Sequence, residues 1–96
     1  MTTVTLTSAK QRPLRPLIEA ALDNQLRLIK AGSDRAEARM REFEATHGLS
    51  TQEFVKRFEN DELQETLEFI EWIGEYRMLA RLQQKAELLA EIEIAD

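Results

Sequence analysis

Glu62, Glu65, Glu68 and Glu71 recur at every third position. Carboxylates are the oxygen ligands that hard divalent cations prefer, so this repeat is the one place where the chain could assemble a metal site. A three-residue repeat drifts around a helix, however, and the four carboxylates do not converge on one point. The other long segment of the chain adds only the scattered Glu19, Asp23, Glu37, Glu42 and Glu44. The expectation is therefore no metal, no cofactor and no small-molecule substrate.

The same acids suit a second kind of chemistry, the recognition of positive charge. Seven of them (Glu59, Asp61, Glu62, Glu65, Glu68, Glu71, Glu75) lie between Glu59 and Tyr76, with Glu53 just upstream, and no Lys or Arg follows until Arg77. The only Trp and the only Tyr of the chain, Trp72 and Tyr76, sit among them. On a helix, Glu68, Glu71 and Glu75 share a face, with Glu65 in a neighbouring stripe. Like charges so spaced repel by roughly 0.2–0.5 kcal/mol per pair, which a helix does not need for its own stability. The pattern reads as a surface for a basic partner, with Glu65, Glu68, Glu71, Trp72, Glu75 and Tyr76 as contact residues. A merely solvated acidic face, with both aromatics in a core or a dimer interface, is the plain alternative.

Catalytic signals are missing from the sequence. His47 is the only His, and beside Gly48 it reads as the last residue of a helix, near the negative dipole end. The Ser residues, Ser8, Ser33 and Ser50, have no credible triad partner. There is no Gly-rich phosphate loop, zinc spacing or nucleophile elbow. The chain reads as non-enzymatic.

These side chains must be positioned by helices. Ninety-six residues with 43% apolar and 32% charged composition, three Gly and two Pro favour long amphipathic helices in one domain over a many-stranded fold. Leu22, Leu26, Ile29, Ala36, Met40 and Phe43 step by three and four, or by seven, along one seam. They predict a helix from Pro16 to about Thr46. Gly32-Ser33-Asp34, with Glu37 resembling a capping box, marks a place where it could break. The seam stays in register across Gly32, which favours continuity. His47-Gly48 is a stop signal. Ser50 with Glu53 forms a capping box, and Leu49 with Phe54 a hydrophobic staple, for a short helix over 51–59. Asn60 or Asp61 is expected to cap a third helix over about 62–94, whose seam reads Leu67, Ile70, Gly74, Met78, Leu82, Lys85, Leu89 and Ile92, widened by Leu63, Ile73, Leu79 and Leu88. Gly74 is the expected point of close helix approach. The fold class is all-α, a helical hairpin spanning 16–96 after an N-terminal arm, 1–15. A hairpin of this kind has little core of its own, so dimerisation into a four-helix bundle is expected.

The arm itself alternates Val4 and Leu6 with Thr, a strand pattern. A lone strand must pair with a copy of itself or with a partner's sheet, or stay disordered. Charge divides along the chain. Residues 1–48 carry eight Lys/Arg and six Asp/Glu, and residues 49–96 carry five and twelve. The acidic half argues against general nucleic-acid binding. A smaller DNA-binding alternative rests on Lys10, Arg12 and Arg15 and on a Thr-rich ribbon for the major groove. The chain has no Cys, no apolar run long enough for a membrane, and no basic start followed by an apolar core. It reads as soluble and cytoplasmic.

The segment His47-Gly48-Leu49-Ser50-Thr51-Gln52-Glu53-Phe54, followed by Asn60-Asp61-Glu62-Leu63, Glu71-Trp72 and Glu75-Tyr76, resembles a family of small helical prokaryotic proteins. Its members look like antitoxin-side partners of two-gene toxin–antitoxin modules. The resemblance covers about Phe43 to Leu82, and His47 stands where the family has a tyrosine. It implies that the acidic helix covers the basic surface of a toxin-like protein. A self-assembling structural dimer and a small DNA-binding regulator are the alternatives.

Overall fold

The computed structural model describes residues 2–5 and 14–95. Its elements, in chain order, are β1 (Thr2–Thr5), α1 (Arg15–His47), α2 (Thr51–Glu59), α3 (Leu67–Ala90) and β2 (Ile92–Ala95). The protein is mostly helical, and α1 packs along α3 as the two arms of a hairpin. Among the described residues no helix is long and apolar enough to cross a membrane.

The 33 residues of α1 span about 50 Å at 1.5 Å per residue. Pro16 lies in the first turn, where a missing N–H costs nothing. The helix does not break at Gly32. That glycine is buried, and a Cβ placed on it would lie 3.1 Å from Leu82 Cδ1 of α3. The suspected breaker is thus a point of close contact between the two arms. Gly74, expected in that role, is exposed with nothing within 4 Å of its own Cβ position. Asp34 caps nothing and accepts instead from Lys30 Nζ, one turn back, at 3.2 Å.

Gly48 ends α1 in the left-handed conformation, φ 62°, with its N–H on the Glu44 carbonyl. The corner forms one half of the predicted capping box, the Glu53 carboxylate accepting instead from Arg57 Nε at 3.0 Å. Ser50 Oγ accepts the Glu53 N–H at 3.1 Å, and Leu49 packs against the core. Glu44 reaches back to accept the Thr51 N–H at 2.7 Å, which satisfies a donor at the positive end of α2.

The next boundary differs from the expectation. Asn60 and Asp61 close α2 and do not open α3. The Asp61 and Glu62 N–H groups donate to the Phe58 and Arg57 carbonyls, the two bonds of a Schellman motif. Asp61 takes φ 57°. This turn aims the chain away from a helical path, so α3 starts only at Leu67. Its cap is Thr66, whose hydroxyl accepts the Phe69 N–H at 3.2 Å.

The far end of α3 differs as well. The helix stops at Ala90, and Ile92–Ala95 pair in parallel with Thr2–Thr5, Thr2 opposite Ile92 and Val4 opposite Ile94. The β-branched alternation Ile92-Glu93-Ile94 suits a strand better than a helical turn. β1 thus pairs within its own chain. Leu6 and the Pro13 segment lie outside the described residues.

The core sits at the corner. Met40, Phe43, Phe54, Val55, Trp72 and Ile73 are buried together, with Leu49, Phe58, Leu63, Phe69 and Leu79 packed against them. The α1 seam is where it was expected, with Ile29, Ala36, Met40 and Phe43 buried and Leu22 half-buried, although Leu26 is left at the surface. On α3 the seam is a different stripe. Leu67 and Ile70 are 74% and 48% exposed and Gly74 is exposed, while Met78, Leu82 and Leu89 of the expected seam are half-buried and Ile73, from its margin, is buried. Trp72 and Ile73 take the interior.

An aspartate in the left-handed region carries a steric cost that glycine does not. Asp61→Gly should therefore raise the unfolding free energy by about 1 kcal/mol, read by urea denaturation. Gly32→Val should lower it by about 1–3 kcal/mol through overpacking against Leu82.

Candidate functional site

Trp72 organises the corner. Its ring stacks on Phe54 with centroids 4.0 Å apart and planes 1° from parallel, and on Phe43 at 5.6 Å. The His47 imidazole also stacks on it, at 5.7 Å. Phe69 closes the group by tilted contacts with His47 and Phe54. The indole N–H donates to Thr51 Oγ1 at 3.0 Å, so the ring is buried with its one polar atom satisfied. Trp72 is a core residue of the single chain, which removes it from the expected contact residues in favour of the core alternative.

Two of the expected contact acids are engaged inside the hairpin. Glu68 lies 2.8 Å from His47 Nε2. Glu71 accepts from Arg39 at 3.1 Å, and the same guanidinium holds Glu42 at 2.8 Å and lies 4.4 Å over the Phe43 ring. The hydrogen bond to Glu42, followed by that to Glu71, pushes the Arg39 pKa up, against the desolvation that lowers it. These pairs are solvent-exposed and add little stability. Both the Arg39–Glu71 and His47–Glu68 contacts span α1 and α3.

The remaining acids divide by element. Glu59, Asp61, Glu62 and Glu65 are exposed at the corner, and none has an ion pair among the described residues. Leu67 follows them, 74% exposed. Glu75 is half-buried and Tyr76 is 37% exposed. The triplet repeat of carboxylates is cut at Thr66, with Glu62 and Glu65 before α3 and Glu68 and Glu71 on it. Among the described residues no three His, Asp or Glu side chains gather to hold a metal ion.

Of the nucleic-acid candidates, Lys10 and Arg12 lie outside the described residues. Arg15 donates to Glu19 at 2.9 Å. It borders an open groove of about 570 Å³ beside Asp23, Ile92 and Glu93. The ribbon that forms thus carries Glu93, an acid unsuited to a phosphate backbone.

Sequence reasoning missed Thr51, Arg39 and the stacking role of His47. Thr51 gives no signal as a single polar residue at a helix start. Arg39 and Glu71 are 32 positions apart, and only the hairpin register joins them.

No family model matches the chain, and neither does a curated protein or a solved structure.

Thr51→Val keeps the shape of the corner but leaves the buried indole N–H unpaired. It should cost about 1–3 kcal/mol, read by thermal or urea unfolding, with the emission of the single Trp as the probe. Glu71→Gln, at an exposed pair, should cost less than about 1 kcal/mol.

Proposed function

We propose that this chain is a non-enzymatic interaction module that docks on a basic partner protein, in the manner of an antitoxin covering its toxin. The observation that carries this reading is the exposed corner. Glu59, Asp61, Glu62 and Glu65 project from it without cationic partners in the described chain, beside the exposed Leu67. Concentrated negative charge next to an apolar side chain fits a basic protein surface and speeds encounter with it. The resemblance around His47–Phe54 and Glu71-Trp72 supports the same class of partner.

The contact surface in this proposal is shifted from the sequence expectation. Trp72 braces the corner from within, and Glu68 and Glu71 hold α1. The acids that lack partners lie mainly in the segment between α2 and α3. Neutralisation then acts by coverage and by charge, with the rigid aromatic stack holding the corner in one shape so that little ordering entropy is lost on docking. Action in the cytoplasm and self-association of the hairpin belong to the same reading.

The test is capture of a partner from native lysate on the immobilised chain, followed by salt elution. A basic protein recovered in stoichiometric amount and released by salt is expected. Its affinity should fall by about tenfold or more for the triple variant Glu59→Lys, Glu62→Lys, Glu65→Lys. A captured protein that binds this variant as tightly as the parent would rule out the charged corner as the docking surface.

A further inference from the structure

We draw no further inference here: the strongest candidate, the side of α1 that carries the exposed Leu17 and Leu28 toward the open end of the hairpin, is an unpartnered apolar face, and nothing in the structure shows what covers it.

Discussion

The indole N–H of Trp72 sets the terms for the whole corner. A buried donor without an acceptor is costly, so the ring can enter the interior only where Thr51 stands to receive it. Thr51 is the first residue of α2, Phe54 lies one turn on, and Phe43 and His47 belong to the last turns of α1. One aromatic ring from α3 therefore fixes the positions of all three helices. The Schellman turn at Asp61, the late start of α3 and the stripe that α3 turns inward are each compatible with that single placement. The Arg39–Glu71 and His47–Glu68 pairs follow from it as consequences of register.

The helices of α1 and α2 are legible because their signals are local. Pro16, Gly48, Ser50 and Glu53 act within one turn of where they stand, and the seam of α1 has no rival stripe. On α3 two stripes compete. Leu67, Ile70, Gly74 and Met78 form an acceptable seam, and so do Phe69, Trp72, Ile73 and Leu79. Spacing cannot decide between them. The decision rests on the larger area of the Trp ring and on an acceptor 21 positions away. Gly32 takes the close contact expected of Gly74 for the same reason, since a glycine read alone does not reveal what faces it. The strand pairing of residues 2–5 with residues 92–95 joins segments from opposite ends of the sequence, and no local pattern names the partner of a four-residue strand.

The acidic run likewise has more than one use. Two of its carboxylates pair with side chains of α1, those of the linker stay bare, and Glu75 is half-covered. On a single helix from residue 62 the run would form one surface. Once the helix begins at Leu67, the acids split into a corner group and a helix group, and two of the helix group, Glu68 and Glu71, pair with α1. Of the expected contact residues, Glu65 is thus left bare at the corner, and Trp72 serves as the keystone beneath it.

The pairing of β1 with β2 bears on how the chain reaches this form. Thr2 opposite Ile92 closes a loop of about ninety residues, and the entropy of closing so long a loop in an open chain is roughly 4 kcal/mol. A parallel ladder of four residues on each side, with β1 exposed throughout, does not supply that. The hairpin must first fold and bring the start of α1 beside the end of α3, which shortens the effective loop to a few residues. The clasp is then the last part to close and the first to open, and amide hydrogens in it should exchange by local opening while those around Trp72 wait for global unfolding.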